Sequence, residues 1–206
     1  MNLFEMELEI KFGKTYLEKL CGVKVGIAGA GGLGSNCAAN LVRCGFKRFV
    51  IADFDVVEFS NMNRQFYFYD QAGQKKVEAL KTNLLKINPD LEIDVLHTLI
   101  TGENVREIFL ECEVVVEAFD KAGSKKMIVE AFMGREKFVV SASGLGGIGR
   151  TDEIRSRRVG NNLVIVGDLV SDSANSLPVS PRVNIAAAKQ ADAVLEYVLA
   201  RPDAKA

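Results

Sequence analysis

The stretch Val-Gly-Ile-Ala-Gly-Ala-Gly-Gly-Leu-Gly at residues 25–34 joins a short apolar run to a glycine-rich turn. Gly29, Gly31 and Gly34 satisfy the pattern G-x-G-x-x-G, in which a buried strand ends in a tight turn and a helix begins. Such a turn directs backbone N–H groups and the positive end of a helix toward a phosphate. The pattern also occurs in nicotinamide and flavin enzymes, so the residues that follow must decide the ligand.

The rest of the chain alternates short apolar runs with longer helical patterns. The apolar runs, rich in Val and Ile, predict strands at residues 23–28, 49–53, 91–96, 114–118 and 138–141. The helical patterns lie at about residues 33–44, 73–87, 103–110 and 124–133. Strands that alternate with helices predict right-handed crossovers and a mainly parallel sheet covered on both faces. The sequence therefore predicts a Rossmann-like, doubly wound α/β fold.

The pattern changes beyond the fifth predicted strand. Alternation at 153–159, an asparagine pair at 161–162 and an apolar run at 163–166 predict an antiparallel hairpin that extends the sheet. Residues 167–181 are rich in Ser, Asp and Pro and predict a crossover loop on the surface. An amphipathic helix follows at about 183–199. We expect its small-residue face to pack against the domain core, with a contact to a second copy as the alternative.

The length and composition of the chain limit how many domains it can form and which classes of partner it can bind. With 206 residues, 48% of them hydrophobic, the chain is long enough for one well-buried domain and short for two. We therefore predict one domain over residues 1–206, beginning with a helical segment at 1–20. A net charge of −1 and no long basic run argue against a nucleic-acid partner. The arginine cluster at 150–158 is expected to protect an exposed strand edge, with docking of an acidic partner as the alternative.

The N-terminus, the cysteines and the single histidine set further expectations. The first ten residues lack a basic start followed by an unbroken apolar core, so we expect no secretory signal. No apolar run is long enough to span a bilayer. None of the four cysteines forms a C-x-x-C pair, so we expect free thiols in a cytoplasmic protein and no zinc site. His97 is expected to be a surface or packing residue rather than a catalyst.

Polar residues follow the second predicted strand, at the end where ligands of such a fold bind. Asp53 ends that strand about twenty residues past the glycine turn, where a carboxylate accepts hydrogen bonds from ribose hydroxyls. Asp55 is expected to form a turn by capping its own backbone. In the run Ser-Asn-Met-Asn-Arg-Gln that follows, Asn61, Arg64 and Gln65 offer donors suited to the β- and γ-phosphates of a triphosphate. A nicotinamide dehydrogenase has no need of these donors there.

Two later segments extend the same interpretation. Gly-Gln-Lys-Lys at 73–76 opens a helix, and a lysine in the first turn is unfavourable against the helix dipole unless a phosphate lies nearby. Asp120 follows the buried strand at 114–118. It either caps the next helix or provides a hard oxygen ligand for Mg²⁺ beside the phosphates.

Together these segments resemble the ThiF/MoeB superfamily, the bacterial relatives of ubiquitin-activating enzymes. The resemblance runs from about residue 20 to 200 and is greatest to the short ThiF-type members of thiamine biosynthesis. It rests on the glycine turn at 29–34, Asp53-x-Asp55, the run at 60–65, Gly-Gln-Lys-Lys at 73–76, Ile-Asn-Pro at 87–89, Asp120, Ser-Ala-Ser-Gly-Leu-Gly-Gly at 141–147 and Pro-Arg-Val at 181–183.

The resemblance implies a reaction and a residue for each part of it. The carboxylate of a small ubiquitin-like sulfur-carrier protein, ending in Gly-Gly, attacks the α-phosphate of ATP and gives an acyl-adenylate and pyrophosphate. With it we expect Mg²⁺ and a homodimer. The implied nucleotide-binding residues are Gly29, Gly31, Gly32, Leu33, Gly34, Asp53, Asp55, Asn61, Arg64, Gln65 and Lys76. Arg64, Lys76 and Asp120 are the implied catalytic residues, and Asp120 is also the implied magnesium ligand.

The chain departs from the family pattern in three ways. It lacks the two C-x-x-C pairs that bind zinc in longer relatives. Its crossover loop contains no cysteine, so we expect adenylation without a thioester or persulfide on this chain. Residues 1–20 lack the arginine that many members supply to a partner subunit, which leaves Lys11 or Lys14 as substitutes.

Two other functions stay open from the residues. A nicotinamide-dependent oxidoreductase is supported by the glycine pattern and Asp53 alone. A noncatalytic nucleotide-binding partner module is motivated by the missing N-terminal arginine. Arg64, Lys76 and Asp120 argue against both, because neither function requires them.

Overall fold

A computed structural model describes residues 1–134, 137–171 and 176–202. Within these ranges the chain forms seven strands and seven α-helices. The strands are β1 (Lys24–Ala28), β2 (Arg48–Asp53), β3 (Glu92–His97), β4 (Val114–Glu117), β5 (Phe138–Ala142), β6 (Arg155–Val159) and β7 (Leu163–Gly167). The helices are α1 (Leu3–Phe12), α2 (Lys14–Gly22), α3 (Gly32–Cys44), α4 (Lys76–Leu85), α5 (Val105–Ile108), α6 (Ala122–Phe132) and α7 (Ser180–Leu199).

All seven strands lie in one sheet with the order β3-β2-β1-β4-β5-β7-β6. Every neighbouring pair is parallel except β6 and β7, which run antiparallel. The chain builds outward from β1 toward β3 and then returns to add β4 on the other side of β1. A crevice therefore opens at the carboxyl ends of β1 and β4, where the strand order reverses. The predicted Rossmann-like fold and its antiparallel extension are confirmed.

The central strands are buried on both faces, as expected for parallel strands covered by helices, whereas the edge strands β3 and β6 are largely exposed. Phe49 of β2 packs in the larger core cluster, which α3 and α7 cover, whereas the next residue, Val50, belongs to the cluster on the α5 and α6 face. Ala186 and Ala187 of α7 are fully buried in the larger cluster. The expectation that the small-residue face of this helix packs against the core is confirmed.

Helix α4 begins three residues later than the pattern predicts. Gly73 adopts a φ of +84°, a conformation that favours glycine, and its N–H donates to the carbonyl of Val57. Val56 and Lys75 form an isolated antiparallel bridge. The residues before the helix are therefore paired with the residues that follow β2. These contacts join residues more than fifteen positions apart, so no local sequence pattern predicts them.

Other element boundaries shift for local reasons. Residues Thr151–Glu153 form a 3₁₀ turn, so β6 begins at Arg155 rather than at residue 153. Helix α7 begins at Ser180, with Pro181 in its first turn, where the missing N–H of proline costs no hydrogen bond. Of the predicted crossover loop at 167–181, residues 172–175 lie outside the described ranges.

The N-terminal segment is helical, as predicted, and is fastened to the domain through a buried carboxylate. Lys47 Nζ lies 3.0 Å from Glu5 Oε1, and Asn88 Nδ2 donates to the same oxygen at 3.1 Å. Burial alone would raise the pKa of Glu5, but the hydrogen bonds from Asn88 and Lys47 outweigh it and hold the pKa below its ordinary value. Helix α1 therefore docks through a charged contact as well as through Leu8.

The remaining expectations concern the surface and the thiols. Three arginines of the cluster lie on β6, which is an edge strand, as expected, and Arg155 and Arg158 are exposed there; Arg150 lies before the 3₁₀ turn that precedes the strand. All four cysteines are free. His97 is exposed at the end of β3. Among the described helices, none is long and apolar enough to cross a membrane.

Candidate functional site

The glycine turn between β1 and α3 forms because two positions exclude a side chain. Gly29 has a φ of +100°, in the region that favours glycine. A Cβ on Gly34 would lie 1.9 Å from the Gly29 carbonyl oxygen, so the helix approaches the turn too closely for any other residue. Gly31 differs, because a Cβ there would meet only Gln65 Nε2, at 3.9 Å. Its open side faces the space where a ligand would lie.

Helix α3 begins beside that space without a side-chain cap. Gly31 is its N-cap residue and has no side chain that could accept from the N–H groups of the first turn. The first N–H groups of a helix have no partner within the helix, and together with the helix dipole they favour an anion. The β1–α3 junction therefore has the tight glycine turn and the uncapped helix N-terminus that the sequence predicts, and phosphate binding there stays a prediction.

A cavity of about 680 Å³ lies at the carboxyl ends of the central strands. It is large enough for a nucleotide-sized ligand. The residues predicted for the site that line it are Gly29, Gly31, Gly32, Leu33, Asp53, Asp55, Asn61, Arg64, Gln65, Lys76 and Asp120. Gly34 alone of the predicted set does not line the cavity, because its place is the contact between α3 and the turn. The roles of these residues stay predictions.

The carboxylate of Asp53 is held by two backbone donors. The N–H of Ala30, in the glycine turn, donates to Oδ2 at 2.6 Å, and the N–H of Asp55 donates to Oδ1 at 2.7 Å. The turn that we expected Asp55 to form is thus formed by Asp53, and that expectation is wrong. Each carboxylate oxygen has a second lone pair, so Asp53 still has the capacity to accept a ribose hydroxyl.

Asp55 instead pairs with the lysine of the family motif. Lys76 Nζ lies 2.7 Å from Asp55 Oδ2, and the lysine side chain is only 7% exposed. Tyr67 lies beneath them and donates its hydroxyl to the carbonyls of Ala30 and Lys76. Burial, together with the charges of Asp53 and Asp55, raises the pKa of Tyr67 well above its ordinary value, so this residue stays a neutral donor.

The loop after β2 that carries Arg64 is held by hydrogen bonds to α3. Asn36 Nδ2 donates to the carbonyl of Arg64 at 2.8 Å, and Ser35 Oγ accepts from the N–H of Phe66 at 3.0 Å. The guanidinium of Arg64 donates to Asn63 Oδ1 at 2.8 Å. Ser35 and Asn36 were missed from the sequence, where they appear as ordinary helix residues. They place the arginine at the cavity wall.

Asp120 lies exposed at the cavity wall, in the turn after β4. Among the described residues, no group of three or more His, Cys, Asp or Glu side chains is placed to hold a metal ion. Mg²⁺ in nucleotide sites keeps several waters and is held by one or two carboxylates together with the phosphates. The donor set therefore fits a magnesium ion that arrives with the nucleotide and does not fit a resident metal centre.

An apolar wall completes the cavity and was also missed. It lies at the carboxyl ends of β2, β3 and β4 and consists of Phe54, Leu99, Ile100, Ala118 and Phe119. These residues directly follow the strand ends, beside the polar residues on which the sequence analysis relied. An apolar wall beside the glycine turn is suited to a nucleobase, because most pockets for such ligands are lined by apolar and aromatic groups.

The part of the cavity wall at residues 143–145 packs against a buried ion pair. Arg182 of α7 is 2% exposed and its Nη2 lies 2.5 Å from Asp168 Oδ2. Asp168 Oδ1 accepts from the N–H groups of Val170 and Ser171 at 2.8 Å. Burial alone would raise the pKa of Asp168, but these hydrogen bonds and the charge of Arg182 outweigh it, so the pKa lies below its ordinary value.

A family model described as the ThiF family matches residues 6–198. The chain belongs to the ThiF family. The resemblance inferred from the motifs is thereby confirmed. The match covers every element that lines the cavity, from β1 to α7.

Two curated relatives illustrate what this ThiF-family chain is similar to. Ubiquitin-like modifier-activating enzyme 5 from Caenorhabditis briggsae is 43% identical over 86 residues, which cover 42% of this chain and 20% of that protein. tRNA threonylcarbamoyladenosine dehydratase from Bacillus subtilis is 32% identical over 149 residues, which cover 71% of this chain and 58% of that protein. The ThiF-family chain thus spans about a fifth of the length of the first relative and less than two thirds of the second.

Two solved structures share the fold of this ThiF-family chain. The tRNA N6-threonylcarbamoyladenosine dehydratase TcdA of E. coli, in complex with ATP, has a TM-score of 0.85 at 18% identity and covers 95% of this chain and 93% of that chain. MccB of E. coli with ATP has a TM-score of 0.72 at 21% identity and covers 89% of this chain and 57% of that chain. At these identities the likeness establishes the fold.

Proposed function

We propose that this chain is an ATP-dependent adenylyltransferase that activates the C-terminal glycine carboxylate of a small ubiquitin-like sulfur-carrier protein in thiamine biosynthesis. The observation that carries the proposal is the cavity that gathers the glycine turn, Asp53, Arg64, Lys76 and Asp120. Related structures solved with ATP, and relatives named for activating ubiquitin-like modifiers, support it. Residues 1–206 would act as one domain.

The chemistry requires alignment rather than a strong base. The carrier carboxylate is already ionised at neutral pH, so one of its oxygens forms a bond to the α-phosphorus without losing a proton. The bond from that phosphorus to the bridging oxygen of pyrophosphate breaks, and the electron pair leaves with pyrophosphate. The N-terminus of α3, with Arg64 and Lys76, offsets the negative charge that develops on these oxygens.

A phosphate bound in the cavity would offer Lys76 an alternative partner. Its ammonium is paired with Asp55, which is 46% exposed and lies beside the same space. A phosphate at the glycine turn would compete with Asp55 for the ammonium, and the aspartate would then be left free to accept from ribose or water. Mg²⁺ bound with ATP would supply further positive charge near pyrophosphate, and Asp120 is the residue proposed to hold it.

We propose that the reaction of this chain ends at the acyl-adenylate. None of the four cysteines lies in the crossover loop at 167–181, and Cys37 and Cys112 are buried. A covalent carrier–enzyme intermediate through sulfur needs an accessible thiolate. Burial raises the pKa of Cys112 to about 12, so this thiol stays protonated at neutral pH. Free cysteines also support a cytoplasmic location.

We propose a homodimer as the working form. Leu3, Met6 and Ile10 of α1 are exposed and lie on one face of the helix, at spacings of three and four residues. An apolar helix face of this kind supports association with another protein surface. Light scattering on the purified chain tests the proposal, and a mass equal to that of one chain would contradict it.

Pyrophosphate exchange into ATP tests the proposed reaction. Purified chain, ATP, Mg²⁺ and labelled pyrophosphate are incubated with each of several Gly-Gly-ended carriers, and with a carrier that lacks the last glycine as the control. Exchange that depends on one intact carrier is expected. Tight ATP binding without exchange would favour the noncatalytic module, and saturable NADH binding without ATP binding would favour the oxidoreductase.

tRNA is a second candidate substrate. The Bacillus subtilis relative is named for a tRNA modification, and the exposed arginines of β6, Arg155 and Arg158, offer positive charge to a phosphate backbone. The same exchange assay with bulk tRNA in place of the carrier separates the two. Exchange that requires tRNA and not a carrier would replace the sulfur-carrier proposal.

A further inference from the structure

A fully buried carboxylate lies directly behind the turn that carries Asp120. Glu117 is the last residue of β4, is 0% exposed and does not line the cavity. Burying a carboxylate is destabilising unless several donors surround it. The hydrogen-bond donors around Glu117 therefore show which parts of the structure its carboxylate keeps in place.

One carboxylate oxygen of Glu117 accepts from a residue before Asp120 and from a residue after it in the chain. The N–H of Phe119 donates to Glu117 Oε1 at 2.7 Å, which closes the turn immediately before Asp120. Lys125 Nζ, from helix α6 after the turn, lies 3.1 Å from the same oxygen. Phe119, Asp120 and Lys125 all line the cavity.

The other carboxylate oxygen of Glu117 and its main-chain carbonyl are held by β5 and α7. Ser141 Oγ donates to Oε2 at 2.5 Å, and Ala142, the next residue of β5, lines the cavity. Gln190 of α7 donates from Nε2 to the main-chain carbonyl of Glu117 at 2.9 Å. Four elements therefore meet at this one residue, and its carboxylate has little freedom to move.

We infer that Glu117 is a positioning residue, whose carboxylate holds the Phe119–Asp120 turn so that Asp120 stays at the cavity wall where Mg²⁺ arrives with ATP. The inference rests on the proposed function, because it assigns Asp120 to the metal. It depends on the reach of the Glu117 side chain to the Phe119 N–H. A shorter side chain that keeps the charge should therefore fail, and an uncharged side chain of the same length should succeed.

The experiment measures ATP binding by calorimetry at stepped Mg²⁺ concentrations, together with AMP binding in the absence of metal. In Glu117→Asp, the half-saturating Mg²⁺ concentration for ATP binding should rise about tenfold, as for loss of a residue that orients a metal ligand. AMP affinity without metal should be unchanged. The Phe119 amide, followed by hydrogen exchange, should exchange faster in this variant. Glu117→Gln should match the wild type in the Mg²⁺ dependence of ATP binding and in AMP affinity, although its unfolding free energy should fall because Lys125 loses a charged partner.

The matched control is Glu5→Asp. Glu5 is also a buried carboxylate with a lysine and an amide partner, but it lies outside the cavity lining. A purely structural role predicts that Glu117→Asp and Glu5→Asp behave alike, and that result would overturn the inference. If Glu117→Asp does not fold, a tenfold rise in Glu117→Gln overturns it instead. A wild-type chain that binds neither AMP nor ATP would contradict the proposed function and not this inference alone.

Discussion

At the scale of single residues, Asp120 gives the sharpest test of the proposed chemistry. Its side chain is exposed at the cavity wall, so replacing it removes a proposed metal ligand without opening the core. Asp120→Asn should lower pyrophosphate exchange at least about a hundredfold, the usual cost of losing one group that stabilises transition-state charge. Thermal unfolding should not change. Asp192→Asn, an exposed change on α7, is the control, and equal activity in the two variants would place the metal elsewhere.

Asp53 tests the nucleoside end of the same cavity. We expect Asp53→Asn to weaken ATP binding about tenfold, because a hydrogen bond to a charged acceptor is lost. The affinity for ATP analogues that lack one ribose hydroxyl separates the causes. The wild type should discriminate against the 2′- or the 3′-deoxy analogue, and Asp53→Asn should not. Discrimination that survives in the variant would mean that Asp53 serves only to brace Ala30 and the turn.

The residues at or behind the cavity differ in how well the sequence alone predicts their place. Asp53, Arg64 and Lys76 follow strand ends or open a helix, so chain position alone brings them to the cavity. Glu117 was missed because an acid that follows three valines at the end of a strand has no local feature that marks it as buried. Its role becomes visible only when donors from β5 and α6 surround it. Such pairings depend on tertiary contacts that no local spacing encodes.

At the scale of elements, two glycines of the β1–α3 junction have different roles. Gly34 allows the helix to pack against the turn, whereas Gly31 borders the cavity. A Cβ on Gly34 would lie 1.9 Å from the Gly29 carbonyl oxygen, so α3 must shift. Gly34→Ala should therefore cost about 1–3 kcal/mol of unfolding free energy, as for overpacking. In Gly31→Ala the added methyl points toward the cavity, so stability should hold while ATP affinity falls. Thermal unfolding and calorimetry of both variants check this, and equal losses of stability would contradict it.

The boundaries of the elements show the same division between local and distant causes. Strands β1, β2, β4 and β5 were predicted to within two residues, because valine-rich runs of this length are buried on both faces. The start of α4 was not, because the bridge between Val56 and Lys75 keeps the preceding residues out of the helix. The strand order is likewise a property of the whole sheet. Alternation of strands and helices predicted the class of fold, and the structure supplies the order.

At the scale of the whole molecule, two buried carboxylates join distant parts of the chain and make its stability depend on pH. Glu5 fastens α1 to the body through Lys47, and Asp168 fastens the end of β7 to α7 through Arg182. In the folded protein the pKa of each lies below its ordinary value, 4.5 for Glu5 and 3.8 for Asp168. The unfolded chain therefore binds more protons than the folded chain as the pH falls.

The stabilisation from both carboxylates should be complete above a pH of about 4.5 and should be lost as the pH falls through their folded pKa values. Glu5→Gln and Asp168→Asn should each lower the unfolding free energy at pH 7 by about 1–3 kcal/mol, because a hydrogen-bonded charge is removed. Each should also show a shallower decline in acid than the wild type. Denaturant unfolding at stepped pH measures both effects, with Asp192→Asn as the control. A decline equally steep in the wild type and both variants would mean that other carboxylates govern acid unfolding.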